Sequence, residues 1–166
     1  MNFALGAIIL IRALIAFIAL PGIAAVIVPL LIAYFDPWNE HHWTPSILVM
    51  CIGTFVLLWC VRDFYVSGKG TLAPWNPPKE LVVIGLYRFV RNPMYIGVLL
   101  LVFGWSIYFC SPLLFLYATI LAIGFHIWVV KYEEPRLKAQ FGRQWELYKQ
   151  GVSRWVPRIK PWKGSS

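Results

Sequence analysis

Four long apolar runs, set apart by two brief polar gaps and one longer loop, decide what this chain can fold into. The first extends from Phe3 to Phe35 and is interrupted by Arg12 and by Pro21-Gly22. The others are residues 46–61, 94–109 and 113–130. Apolar runs of roughly 20 residues match the bilayer's hydrocarbon core when wound as helices. A helix also satisfies its own backbone there, which an open strand does not. Hydrophobic residues make up 60% of the 166 and charged residues only 13%, too little polar surface for a water-soluble chain of this size. The expected fold is therefore all-α: a polytopic membrane protein with four transmembrane helices in one domain. Its parts are residues 1–61 (the first two spans), 62–93 (a loop), 94–130 (a helical hairpin) and 131–166 (a charged tail).

The first run is too long for one ordinary span and too short for two. It reads as a span over about residues 13–35, kinked at Pro21, after an interfacial lead-in at 2–12 from which Arg12 snorkels to the headgroups. A split at Pro21 gives a five-span alternative, with Arg12 left in mid-membrane. The stretch is too long for a signal-peptide core and no cleavage site follows it, so it is expected to be retained. Spans three and four are joined only by Cys110-Ser111-Pro112, which demands a tight hairpin. Cys51, Cys60 and Cys110 show no metal-ligand spacing.

Charge sets the orientation. Fourteen of the fifteen Lys and Arg residues fall on one side of the spans, five in residues 62–91 and nine from Lys131 onward. The loop Asp36–Pro45 and the tip of the hairpin contain none. The positive-inside rule then places both termini in the cytoplasm, with Arg12 on the same side. The net charge of +8 is matched to anionic lipid headgroups; no nucleic-acid motif is visible. The outer loop holds His41-His42 beside Trp38 and Trp43, which fit an aromatic belt.

Two segments carry chemistry, and the hairpin brings them together at the cytoplasmic surface. The first runs from Gly85 to Gly97. Asn92-Pro93 reads as a helix start, with Asn as the cap, and a helix start attracts anions. Arg88 and Arg91 offer forks for carboxylate or phosphate. Tyr87 and Tyr95 add aromatic faces and hydroxyls, and Gly97 allows close approach of a helix or a ligand. The same residues also suit a headgroup-anchoring belt. The second segment begins at Glu133-Glu134. Adjacent glutamates at an interface need partners: Arg88 or Arg91 in a structural ion pair, or a cationic ligand. His126, seven residues earlier, falls two α-turns back on the same face, either as a packing histidine or as a functional group. Beyond Pro135, residues Leu137, Phe141, Trp145 and Tyr148 predict one amphipathic helix lying on the bilayer or over the site. The Pro- and Gly-rich stretch 69–80 reads as an irregular loop that forms a wall or gate.

Gly85-x-Tyr87-x3-Arg91-Asn92-Pro93-x-Tyr95-x-Gly97 resembles the G-x-Y-x3-R-H-P-x-Y-x-G signature of the isoprenylcysteine carboxyl methyltransferases, which are grouped with the membrane phospholipid methyltransferases. The tail resembles their closing motif, from Glu133-Glu134-x2-Leu137-x3-Phe141-Gly142-x2-Trp145-x2-Tyr148 to Arg154 and Pro157. Asn92 stands where the signature has His, and Trp145 where it has Tyr, so a catalytic histidine at position 92 is excluded. The resemblance covers about residues 60–160. It implies S-adenosylmethionine as methyl donor, with Tyr87, Arg91, Asn92, Pro93, Tyr95, Gly97 and Glu134 around it. It also implies a lipid-like or prenylated acceptor arriving from the bilayer, near Arg88, Glu133 and His126. A carboxylate acceptor needs only a cation such as Arg88 or Arg154. A phospholipid amine needs a base, Glu or His126. Two other readings are a nicotinamide-dependent enzyme like the sterol reductases and a non-catalytic membrane scaffold; donor binding separates all three.

Overall fold

The computed structural model describes residues 18–37, 42–66 and 81–164, and among them every regular element is helical. Helix α1 combines a π-wound stretch, Ile18–Ile27, with α-helical Val28–Phe35. Pro21 lies inside the π-wound part. A proline removes one backbone donor and its ring crowds the preceding turn, so a wider turn there relieves the clash. The carbonyls of Ala24 and Ala25 accept bonds from the Tyr117 hydroxyl at 2.9 Å and the Trp105 indole at 3.0 Å. No turn interrupts the helix at Pro21-Gly22. The lead-in and Arg12 lie outside the described residues, as do Trp38, His41 and the stretch 69–80.

Helix α2, Ser46–Val66, runs five residues past the expected end at Val61. Helix α3, Pro93–Tyr108, is the central element and buries Val98, Leu101 and Val102 against Ala25, Leu57 and Ala118 of the other three. Small residues let α2 and α3 approach closely. A Cβ on Gly97 would come within 2.9 Å of the Leu57 side chain, and one on Gly53 within 2.9 Å of the Gly97 carbonyl. The hairpin tip turns on Cys110, at φ 48°, and Ser111 caps α4, Pro112–Trp128, by accepting from the Leu114 amide at 3.1 Å. Ser111 also donates to Asp36, tying the tip to the end of α1.

Two helical stretches, Ser46–Asp63 and Pro112–Phe141, are long and apolar enough to cross a membrane; Pro21–Phe35 and Pro93–Tyr108 are shorter apolar helices. The 30-residue stretch is about 45 Å long against a hydrocarbon core of about 30 Å, so part of it must protrude. Its apolar section ends at Val130, and Lys131 onward is charged. Phe115, Leu116, Ile120 and Ile123 on α4 are exposed, as are Leu48, Ile52, Phe55 and Leu58 on α2. Such contiguous apolar surface is suited to lipid.

Beyond α4 the backbone widens into a π turn, Val129–Glu133, and continues as α5, Glu134–Phe141. The single amphipathic helix expected after Pro135 is in fact two. Gly142, at φ 50° and ψ −121°, ends α5 and α6 follows over Arg143–Gly151. Glycine adopts this positive φ without the strain a side chain would bring. The four apolar residues still converge, because Leu137, Phe141, Trp145 and Tyr148 meet Val152, Leu81, Val83 and Trp162 in a second core. Trp145 and Tyr148 are 3% and 2% exposed, so this face packs on the protein and not on a bilayer. Residues 152–164 then form a strap running back along residues 88–92, with backbone bonds Arg91–Ser153 at 2.9 Å, Arg158–Phe89 at 3.0 Å and Trp162–Arg88 at 2.9 Å.

Candidate functional site

The end of α2 shapes the approach to α3. Gly85 has φ 51°, and a Cβ there would collide with the Asp63 carboxylate, so only glycine fits. Asp63 in turn accepts from the Leu86 amide and holds the 3₁₀ turn Gly85–Arg88. That turn buries Tyr87, whose side chain meets Cys60 and whose carbonyl accepts from the Tyr148 hydroxyl at 2.7 Å. The Arg88 Nε donates to the Trp162 carbonyl at 2.8 Å.

Asn92 occupies the N-cap position with Pro93 in the first turn, as expected, but its side chain makes no capping bond. Its amide donates instead to the Arg154 carbonyl at 3.2 Å, joining the start of α3 to the strap. The backbone at φ −122° and ψ 54° accompanies this alternative use.

Arg91 points into an ion triad. Glu134 Oε1 accepts from Arg91 Nη1 at 2.8 Å and from Arg154 Nε at 2.6 Å, and Oε2 accepts from Arg154 Nη2 at 2.9 Å. The Arg91 and Glu134 side chains are 8% and 9% exposed. Burial opposes charge on Glu134, but the Arg154 hydrogen bonds and the two guanidinium charges prevail and hold its carboxyl below the ordinary range. Two cations around one anion leave the cluster one positive charge in excess. The Arg91 guanidinium lies over the Trp145 ring, 5.5 Å from its centroid, and its Nε is buried without a hydrogen-bond partner among the described residues.

Glu133 sits differently. Its Oε2 accepts from the Tyr95 hydroxyl at 2.9 Å. Burial is the largest influence on it and pushes its carboxyl up; the Tyr95 bond opposes that shift and Glu134 adds to it. Adjacent glutamates thus acquire distinct characters: Glu134 is an anion clamped by arginines, whereas Glu133 is buried against the neutral Tyr95 hydroxyl. The π turn between His126 and Glu133 is wider than an α-turn and moves Glu133 off the face they would share at two α-turns. Glu133 meets Tyr95, while His126 meets Trp155, whose indole donates to His126 Nδ1 at 3.1 Å. Tyr95 packs between Phe125 and Trp155, with ring centroids 4.7 Å and 6.4 Å away. Gly97 faces Leu57 and Gly53 of α2, one turn into α3.

The structure therefore joins Arg91, Glu134 and Arg154 in one cluster, with Glu133, Tyr95 and His126 linked beside it through Trp155. Tyr87, Arg88, Asn92 and Pro93 shape its floor and strap. Sequence reasoning did not single out Asp63, Trp155 or Trp162. Their only signal is Trp155 next to Arg154 and Trp162 between lysines in a basic tail; Asp63 gives none.

A family model described as phospholipid methyltransferase matches residues 41–144. The chain is 35% identical over 81 residues to a probable protein-S-isoprenylcysteine O-methyltransferase of Oryza sativa subsp. indica, covering 49% of this chain and 42% of the relative. It is 32% identical over 134 residues to protein-S-isoprenylcysteine O-methyltransferase A of Arabidopsis thaliana, covering 77% and 66% respectively. A Dictyostelium discoideum protein-S-isoprenylcysteine O-methyltransferase is 27% identical over 154 residues, covering 78% and 60%. The chain thus spans less than two thirds of the length of these relatives. No solved structure matches.

Proposed function

This chain belongs to the phospholipid methyltransferase family, and on that premise we propose that it moves a methyl group from S-adenosylmethionine to a lipophilic acceptor arriving from the bilayer. The observation that carries this reading is the Arg91–Glu134–Arg154 triad beside the Glu133–Tyr95 pair. The donor is a zwitterion with a sulfonium. An excess positive charge and the Arg91 Nε, which has no partner among the described residues, suit its carboxylate. A carboxyl raised by burial suits its amino group, because a neighbouring cation would restore its charge. The aromatic wall of Tyr95, Phe125 and Trp155 suits the sulfonium.

When bound, the donor supplies an already activated methyl for an in-line displacement. The chain's own residues then orient the partners and exclude water. Arg91 and Glu133 hold the two ends of the donor's charged tail, and Tyr95 fixes Glu133. For a carboxylate acceptor, as the names of the relatives suggest, Arg88 supplies the orienting cation. For an amine acceptor, His126 takes the proton. Four crossings, with the site and both termini cytoplasmic, fit the one-sided distribution of Lys and Arg.

Purified protein in lipid nanodiscs is expected to bind labelled S-adenosylmethionine saturably, with S-adenosylhomocysteine competing and nicotinamide dinucleotides not. Arg91→Ala should weaken that binding at least tenfold. A folded sample that binds no donor would overturn the reading.

A further inference from the structure

The strap carries a surface that donor chemistry does not use. From Ser153 to Gly164 it reads SRWVPRIKPWKG, with four cations and no acidic residue. It is pinned, not trailing: the Trp155 indole bonds His126, the Arg158 amide bonds the Phe89 carbonyl at 3.0 Å, and the Trp162 amide bonds the Arg88 carbonyl at 2.9 Å. Between these pins Val156 is 72% exposed and Ile159 is 97% exposed. A rigid segment that presents two bare β-branched side chains to water gains nothing from them within its own fold. Lys160 and Lys163 beside them are also exposed.

The level of this surface follows from its attachments. Trp155 packs on Tyr95 and His126, at the charged ends of α3 and α4, where their apolar faces stop. Phe89 and Arg88 immediately precede α3. The strap therefore lies where hydrocarbon gives way to headgroups. Two apolar side chains are far too little for a stable protein interface, which takes about 800 Å² per partner. Flanked by cations, they are enough for shallow insertion into a charged leaflet.

We infer that residues 156–163 form an interfacial anchor, with Val156 and Ile159 inserted among anionic phospholipid headgroups and Lys160 and Lys163 paired with their phosphates. The anchor steadies the strap that carries Arg154 and Trp155. Its operation does not depend on the identity of the transferred group, so its test needs no activity.

The full chain with Cys51→Ser, Cys110→Ser and Ile159→Cys is spin-labelled at position 159; Cys60 is buried and stays unlabelled. Collision accessibilities to oxygen and to a nickel chelate are measured in nanodiscs of phosphatidylcholine with and without phosphatidylglycerol. With phosphatidylglycerol the label is expected to be reached by oxygen and shielded from nickel; without it, nickel access rises. Lys160→Glu with Lys163→Glu should abolish this lipid dependence, each lysine contributing roughly fivefold to docking. In the unaltered chain, hydrogen exchange over residues 155–163 should slow when phosphatidylglycerol is present. A label open to nickel in both lipids overturns the anchor. Equal depth in both lipids overturns its anionic specificity. Shielding from both reagents in a dimeric particle would assign the surface to a second copy and also overturns it.

Discussion

Glu133 and Glu134 are neighbours with opposite electrostatics, and the difference is measurable. Glu134 is held below the ordinary glutamate range, so the stability it contributes is complete above that range and is lost as pH falls through its depressed value. Glu134→Ala leaves two guanidinium groups facing each other and is expected to cost about 3 kcal/mol, read from chemical denaturation in mixed micelles. Arg91→Ala costs less, because Arg154 still holds Glu134. Glu133 is raised by burial, so its carboxyl holds a proton to higher pH than an ordinary glutamate does. Binding a cationic group requires the anion. Donor affinity should therefore climb as pH rises through the raised range, with a proton released on binding, and Glu133→Gln should flatten that slope in calorimetry. The sequence shows that two interfacial glutamates need partners, but not which takes which. That choice depends on the π turn and on Arg154, twenty residues away.

At the level of elements, the 3₁₀ turn Gly85–Arg88 and the strap position the site between them. Gly85→Ala imposes about 1–2 kcal/mol of backbone strain at positive φ and drives a Cβ into Asp63. The turn should shift, Arg91 should lose its alignment, and donor affinity should fall more than stability does; parallel binding and denaturation curves test this. Helix starts at Pro93 and Pro112 and the tight hairpin were legible, because proline, glycine and apolar runs act locally. The break at Gly142 and the Asn92 side chain's turn toward Arg154 were not. Leu137, Phe141, Trp145 and Tyr148 keep helical spacing through Gly142, and only the second core around Val152 and Trp162 shows why the chain bends there.

For the molecule as a whole, α3 is the shared wall of the bundle, and its charged end is the floor of the site. Membrane character was plain from composition, and the meeting of the two charged segments followed from the hairpin. The strap's return path was hidden, since backbone bonds from residues 153–162 to 88–91 leave no trace in spacing. The proposed topology predicts that a cysteine placed in Asp36–Pro45 reacts with an impermeant reagent from outside intact cells, whereas one at the exposed Gln150 reacts only after the membrane is opened. The reverse pattern would invert the orientation. The most direct test of the central claim follows the methyl group itself. Nanodisc-embedded protein is incubated with methyl-labelled S-adenosylmethionine and a mixed lipid extract, and label is counted in the organic phase. Transfer that is time-dependent, blocked by S-adenosylhomocysteine and reduced at least a hundredfold by Glu133→Gln is the predicted result. Saturable donor binding without any label entering the organic phase would contradict it.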